Sequence, residues 1–214
     1  MSMTIERVLP FVSRLPDPIR DGIARRMREL TGLGLIGLTS VVATALATWS
    51  VLDPSLSHAT SKPIRNLLGY PGAITADILM QIIGLGAIML LLPVAIWGWR
   101  MMTHRPFDRE ALRIALWILS TLLFAGFMSC WPRSAAWPLP TGLGGVVGDA
   151  LVRFPASVIG ADNALMRIVL GALFAGATVM SFLYASGMGA RQKLDDYVYE
   201  DEDEPEQDEV EDSN

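Results

Sequence analysis

The chain contains little charge, one cysteine and two histidines, and these shortages exclude several classes of protein. Only 18% of its 214 residues are charged, whereas soluble domains average about 25%. Cys130 has no second cysteine for an internal disulfide, and alone it cannot supply a zinc or iron–sulfur site. The pattern G-x-x-x-x-G-K-[ST] does not occur, so this polypeptide has no Walker-type ATP site. The sequence predicts no catalytic residue, no cofactor and no metal site.

Apolar sequence is abundant instead, in four stretches that are long enough to cross a bilayer. Hydrophobic residues make up 51% of the chain, and the mean hydropathy is +0.39. A span requires about 20 apolar residues, and a chain in lipid must satisfy its backbone internally, as a helix does. The predicted spans are 30–52, 74–99, 112–131 and 164–187. We therefore predict an all-α membrane protein, with four transmembrane helices in residues 30–190 and glycine-rich outer loops.

The distribution of Lys and Arg predicts the orientation of these helices. Twelve of the 17 basic residues lie before the first span, around the connection between the second and third spans, or after the fourth span. The other five are Lys62, Arg65, Arg133, Arg153 and Arg167. Because basic residues concentrate on the cytoplasmic side of membrane proteins, we expect both termini in the cytoplasm. We therefore predict a chain that crosses the membrane several times, with the loops after the first and third spans on the other side.

Residues 1–29 are basic and partly apolar. Asp17-Pro18 is typical of a helix start. Four apolar residues then recur at intervals of three or four: Ile19, Ile23, Met27 and Leu30. Arginines occupy the remaining faces. The segment is either an amphipathic helix lying along the inner leaflet before it turns into the first span, or an ordinary basic flank that orients that span.

The other end of the chain is acidic. Residues 195–214 hold 12 of the 22 acids and no Lys or Arg. So polar a segment buries too little apolar surface to offset its ordering entropy. We predict that residues 191–214 form a disordered cytoplasmic tail or the start of a linker.

The two predicted outer loops carry the most specific sequence. The first contains Asp53-Pro54-Ser55, then Asn66-Leu67-Leu68-Gly69-Tyr70-Pro71-Gly72-Ala73, with Asp77 after it. The second contains Gly144-Gly145-Val146-Val147-Gly148 followed by Asp149. Closely spaced glycines followed by an aspartate in both loops favour two parallel repeats of a helical hairpin.

Asp77 is the one acid predicted to lie inside the hydrocarbon, and it has two interpretations. An ionisable residue within a span is a functional candidate. The predicted span begins at residue 74, however, so Asp77 would lie in its first helical turn, where the helix dipole favours an anion. We favour this structural interpretation.

Taken in order, these features resemble the N-terminal membrane region of the FtsK/SpoIIIE family of bacterial DNA translocases, over about residues 25–190. The family pattern is a D-P-S-type turn after the first span, N-L-x-G-x-x-G-A-x-x-x-D before the second, and a glycine-rich loop before the fourth. The resemblance implies an anchor, a long cytoplasmic linker and a hexameric ATP-driven motor that pumps chromosomal DNA at the division septum. The matching positions are structural or interaction candidates: Asp53, Pro54, Asn66, Gly69, Gly72, Asp77, Gly144, Gly145 and Gly148.

The resemblance thus predicts a non-enzymatic membrane anchor and septal targeting module of a cell-division DNA translocase, located in the bacterial inner membrane at the division septum. Its expected partners are the lipid bilayer, further copies of itself and other division proteins. DNA would be reached only through a motor, which is not expected in a sequence that ends at Asn214 within the linker. The alternatives are a small channel or transporter subunit of the inner membrane, and a small membrane enzyme. The lack of intramembrane charge beyond Asp77 counts against both.

Overall fold

The structure of the protein is a computed structural model that describes residues 17–56, 60–105, 109–159 and 163–188. All regular structure within these ranges is helical: α1 (Asp17–Ala47), α2 (Gly69–Ile82), a 3₁₀ turn (Gly84–Gly86), α3 (Ala87–Met102), α4 (Glu110–Ser129), α5 (Gly145–Ile159) and α6 (Ala164–Ser186). Four helical stretches are long and apolar enough to cross a membrane: Pro18–Ala47, Gly84–Met102, Glu110–Ser129 and Ala164–Ser186. The predicted all-α, four-span fold is confirmed. Residues 1–16 and the predicted acidic tail, 191–214, lie outside the described residues.

The helices form two halves with the same order of elements: a span, a short helix and a second span. In the first half α1 packs along α3, and in the second α4 packs along α6. The α1 and α3 backbones are so close that a Cβ on Gly98 would lie 2.7 Å from the carbonyl oxygen of Gly32. We call the end of the bundle formed by residues 48–56, 60–68 and 130–144 the loop face. The opposite end, which carries residues 103–105 and the end of α6, is the terminal face.

The prediction of one continuous helix over 74–99 is wrong. α2 ends at Ile82, and the span that follows begins at Gly84. Gly84 has a φ of +54°, a left-handed conformation that only glycine adopts at little cost. The residues around it are as apolar as the rest of the stretch, so hydropathy does not detect the break.

The first helix also differs from its prediction. Residues 1–29 had two interpretations, an inner-leaflet helix that turns into a span over 30–52 or a basic flank of that span. One uninterrupted helix of 31 residues runs from Asp17 to Ala47, so no turn separates the described basic residues from the span. Glu29, at the expected turn, is fixed by Arg26 at 2.7 Å and by His104 Nε2 at 3.2 Å. The His104 contact joins α1 to the loop after α3, and the basic first turns belong to the same helix as the span.

The third and fourth spans lie within two residues of their predicted bounds, whereas α5 was not predicted. α4 covers Glu110–Ser129 and α6 covers Ala164–Ser186. Asn163 caps α6, since its side-chain oxygen accepts a hydrogen bond from the Met166 N–H at 2.9 Å. The stretch we assigned to an outer loop contains the 15-residue helix α5, which begins at Gly145.

Hydrogen bonds to backbone carbonyls join the spans at the terminal face. Trp97 Nε1 donates to the Ala185 carbonyl at 2.8 Å, and Arg100 Nη1 donates to the Gly187 carbonyl at 3.0 Å. Arg100 is buried there, against the last turn of α6. Cations stabilise helix C-termini, where carbonyl groups lack helical partners. The contact therefore ties the second span to the end of the fourth.

Candidate functional site

A buried hydrogen-bond network, which we call the Asp53 clasp, fastens the first loop to the end of α1. Asp53 is only 3% exposed, and its carboxylate accepts hydrogen bonds from the N–H groups of Arg65 at 2.9 Å and Asn66 at 3.0 Å. Asn66, 5% exposed, donates from Nδ2 to the Ala45 carbonyl in the last turn of α1 at 2.8 Å. The clasp thus joins three segments that are distant in sequence.

The same asparagine positions the start of α2. Asn66 Oδ1 accepts a hydrogen bond from the Leu68 N–H at 3.1 Å, and its carbonyl accepts one from the Gly69 N–H at 2.9 Å. Gly69 then adopts a φ of +65°, and a Cβ on Gly72 would overlap Asn66 Oδ1. The N-L-x-G-x-x-G pattern is therefore explained by a side chain that turns the backbone and by two glycines that fit around it.

A second network, the Asp149 clasp, closes the other loop. The Asp149 carboxylate accepts hydrogen bonds from Ser129 Oγ at 2.8 Å and from the Gly142 N–H at 3.0 Å. Arg153, one turn later on α5, lies 3.7 Å from the same carboxylate. The clasp links the last residue of α4 to the glycine loop and to α5. A carboxylate therefore fastens the loop in each half of the molecule.

The two halves meet at four glycines, which we call the glycine junction: Gly84, Gly144, Gly145 and Gly148. The Leu85 N–H donates to the Leu143 carbonyl at 2.9 Å, so the second loop enters the break between α2 and α3. A Cβ on Gly144 or Gly148 would overlap the Ala125 carbonyl oxygen of α4. The backbone packs directly on backbone here, so no residue with a Cβ fits at these positions without displacing the neighbouring chain.

The structure groups the predicted site residues into two sets. Asp53, Asn66, Gly69 and Gly72 lie together around the first loop. Gly144, Gly145 and Gly148 lie together at the glycine junction. Pro54 is half-buried directly after Asp53, where no described contact assigns it a further role.

The interpretation of Asp77 as a helix-start group is wrong. α2 begins at Gly69 rather than at residue 74, which places Asp77 in the middle of that 14-residue helix. Its side chain is 5% exposed, and Gln81 Nε2 donates to its Oδ2 at 2.8 Å. A neighbouring amide, rather than the helix dipole, is the described contact of this carboxylate.

Sequence reasoning missed three residues of the site. Asp149 follows the glycines of its loop in the sequence, as Asp77 follows those of the first loop. Its function in the structure is instead that of Asp53, since its carboxylate accepts a hydrogen bond from a loop N–H. Gly84 lies in a run that reads as uniform helix, and Ser129 lies at the end of a span. An aspartate beside each of the two outer loops was the available signal for Asp149; no sequence signal identifies Ser129.

The described contacts of the two acidic side chains in the site fasten its loops. The Asp53 and Asp149 carboxylates accept hydrogen bonds from the backbone, and no group of three His, Cys, Asp or Glu side chains occurs within the described ranges. Charge-assisted bonds of this kind are among the stronger ones in proteins. The two clasps and the glycine junction therefore hold the loop face in one conformation, as a binding surface requires.

Comparison with known proteins agrees with this architecture. The family model described as the 4TM region of DNA translocase FtsK/SpoIIIE matches residues 24–190. The chain is 64% identical over 207 residues to the DNA translocase FtsK of Bradyrhizobium diazoefficiens, covering 96% of this chain and 25% of that protein. No solved structure matches the chain.

More distant relatives show the same pattern of coverage. The DNA translocase FtsK of Agrobacterium fabrum is 42% identical over 165 residues, which are 77% of this chain and 18% of that protein. The DNA translocase FtsK of Caulobacter vibrioides is 30% identical over 188 residues, 86% of this chain and 23% of that protein. The chain spans about a quarter or less of the length of these relatives. It belongs to the FtsK/SpoIIIE family of DNA translocases and corresponds to the four-transmembrane region of that family.

Proposed function

We propose that this chain is the membrane anchor and septal targeting module of a cell-division DNA translocase, and links chromosome segregation to division. The match to the four-transmembrane family over residues 24–190 carries the proposal. The four spans provide the anchor. The ATP-driven motor would lie in the part of the translocase that this chain does not cover, and DNA would be contacted only there.

The proposal places the terminal face in the cytoplasm. Twelve of the 17 basic residues lie in the segments that begin or end there, which is the side that the positive-inside rule assigns to the cytoplasm. Both termini would then be cytoplasmic, on the side where a motor meets chromosomal DNA. The loop face would lie outside the inner membrane.

Cysteine labelling tests this orientation. In a Cys130→Ser background, Lys62→Cys and Ser134→Cys place a thiol at exposed positions of the loop face, and Arg105→Cys places one at an exposed position of the terminal face. A membrane-impermeant maleimide added to intact cells should modify the first two and leave the third unmodified until the cells are opened. Modification of Arg105→Cys in intact cells would reverse the assignment.

The loop face also offers a surface for other division proteins. Leu56 and Leu67 are 76% and 74% exposed on the loop that the Asp53 clasp fastens. Exposed apolar side chains on a rigid loop are typical of protein contacts. We propose that this surface contacts division proteins outside the membrane, and that copies of the chain associate through their spans.

Localisation of the chain in dividing cells tests the targeting function. A fluorescent protein fused to its C-terminus should concentrate at the division septum several-fold over the lateral membrane, because the loop face selects that position. Gly145→Val should remain in the membrane but lose the septal signal, since it deforms the glycine junction. Gly176→Ala, in open space on α6, is the matched control and should localise as the original chain does.

The same experiment distinguishes the channel or transporter alternative. Asp77→Asn keeps an oxygen that can accept the Gln81 hydrogen bond, so an anchor should tolerate it. Loss of function in Asp77→Asn, with Gly145→Val unaffected, would favour a transporter that moves a proton or ion through that carboxylate. A uniform membrane signal from the original chain would contradict septal targeting.

A further inference from the structure

A concave groove lies between α4 and α6 at the loop face. It encloses about 510 Å³ and is lined mainly by apolar groups, among them Phe127, Cys130, Trp131, Arg167, Ile168 and Ala172. Pockets that hold small molecules are typically about 300–1,000 Å³. Burial raises the pKa of the Cys130 thiol, which forms part of the apolar wall. We call this cavity the α4–α6 groove.

One end of the groove is basic. A smaller cavity of about 100 Å³ adjoins it, shares Trp131 and Arg167 with it, and adds Arg133 and Arg153. The one acid in its lining, Asp149, accepts hydrogen bonds from the Ser129 hydroxyl and the Gly142 N–H. The lining of the smaller cavity therefore contains three guanidinium groups and one carboxylate, at the mouth of an apolar groove.

The position of the groove matches the boundary between hydrocarbon and headgroups. Trp131 is 56% exposed directly after the end of α4, and tryptophans concentrate at that boundary. Arg167 lies in the first turn of α6, and Ile168 beside it is exposed to the surroundings of the span. An apolar chain could run along the groove into the bilayer while an anion stays at the level of Arg167.

We propose that the α4–α6 groove binds one anionic phospholipid, with an acyl chain between the two helices and its phosphate at Arg167. Arginine suits this role because its planar fork binds phosphate oxygens through two parallel hydrogen bonds. A free phosphate would leave the apolar part of the groove empty. A helix from a second copy would bring apolar side chains against the three arginines and remove them from water at a large cost.

Native mass spectrometry of the 214-residue chain in detergent tests the proposal, with phosphatidylglycerol or phosphatidylcholine added as the probe. One bound phosphatidylglycerol should survive removal of the detergent, whereas phosphatidylcholine, with no net charge, should be lost about tenfold more readily. Arg167→Gln should weaken phosphatidylglycerol retention by a similar factor, and Arg167→Lys should restore part of it. Lys62→Gln, which removes an exposed basic side chain of the loop face outside both clasps, should have no effect.

A second pair of variants tests the apolar part without touching the arginines. Ala172→Trp places a large ring in the groove from an exposed position and should abolish retention of either lipid. Ala177→Trp, exposed elsewhere on α6, should retain phosphatidylglycerol normally. Each variant is first compared with the original chain by thermal unfolding without lipid. If Arg167→Gln does not fold, the Arg167→Lys and tryptophan variants still decide the question.

Four results would overturn the proposal. These are equal retention of the two lipids, unchanged retention in Ala172→Trp, full displacement of the lipid by inorganic phosphate, and a dimer that Ala172→Trp dissociates. The last would assign the groove to a second copy of the chain. Failure of septal targeting would leave this proposal intact, because lipid binding is measured on the purified protein.

Discussion

Replacing Gly145 with alanine is expected to destabilise the purified protein by about 2–5 kcal/mol, the sum of a left-handed backbone penalty and an overpacking penalty. Gly145 has a φ of +67°, which disfavours any residue with a Cβ. That Cβ would also lie 2.7 Å from the carbonyl group of Ile82 at the end of α2. The Cβ is fixed to the backbone and the atoms that it meets are backbone atoms, so no side-chain rotation can relieve the clash.

Unfolding in detergent, followed by circular dichroism against temperature or denaturant, measures this loss. Gly176→Ala makes the same chemical change at a helical glycine with no heavy atom near its missing Cβ. It should be neutral or stabilising by up to about 1 kcal/mol, because alanine favours the helix. Equal unfolding midpoints for the two variants would show that the glycine junction does not hold the halves together.

Asp53→Ala should cost about 1–3 kcal/mol, the range for leaving buried polar groups without a partner. The variant removes the acceptor for the N–H groups of Arg65 and Asn66. Asn66 is buried, so water cannot replace the lost carboxylate without opening the loop. The amide of Asn66 would then also lose its alignment with the Ala45 carbonyl, and the start of α2 would loosen.

Hydrogen exchange of the Asn66 amide, together with unfolding in detergent, separates this local effect from a general one. Asp21→Ala removes an exposed acid of α1 and should change stability by no more than about 0.5 kcal/mol. Asp53→Asn keeps one acceptor oxygen and should lie between the two. Unchanged protection of the Asn66 amide in Asp53→Ala would contradict the role we assign to the clasp.

Composition and hydropathy were sufficient to predict the class of fold. Long apolar stretches allow only helices in a bilayer, so α4 and α6 were located to within two residues. The Asp53 and Asn66 pattern could also be recognised, because both residues are adjacent to the turns that they fasten. Their hydrogen-bond partners could not be predicted, since the Ala45 carbonyl that Asn66 contacts lies 21 positions earlier in the sequence.

The remaining differences arise where tertiary contacts override a local pattern. Gly84 breaks an apolar run because the Leu143 carbonyl of a distant loop bonds the next residue, and one sequence carries no signal for that contact. The turn at Asn66 starts α2 at Gly69 rather than at residue 74, which places Asp77 in the middle of the helix. α5 was missed because its first turn contains two glycines and a third precedes it, a pattern that usually indicates a loop rather than a helix.

Exchange of membrane regions in a full-length translocase of the family tests the proposed function most directly. The native segment is replaced either by this chain or by an unrelated membrane protein with four spans, both of which would tether the motor. The measured quantities are the septal fraction of the fluorescently labelled translocase and the fraction of dividing cells with DNA trapped at the septum. This chain should restore septal localisation and DNA clearance, and the unrelated anchor should restore neither. Equal performance of the two anchors would show that the chain tethers the motor without targeting it.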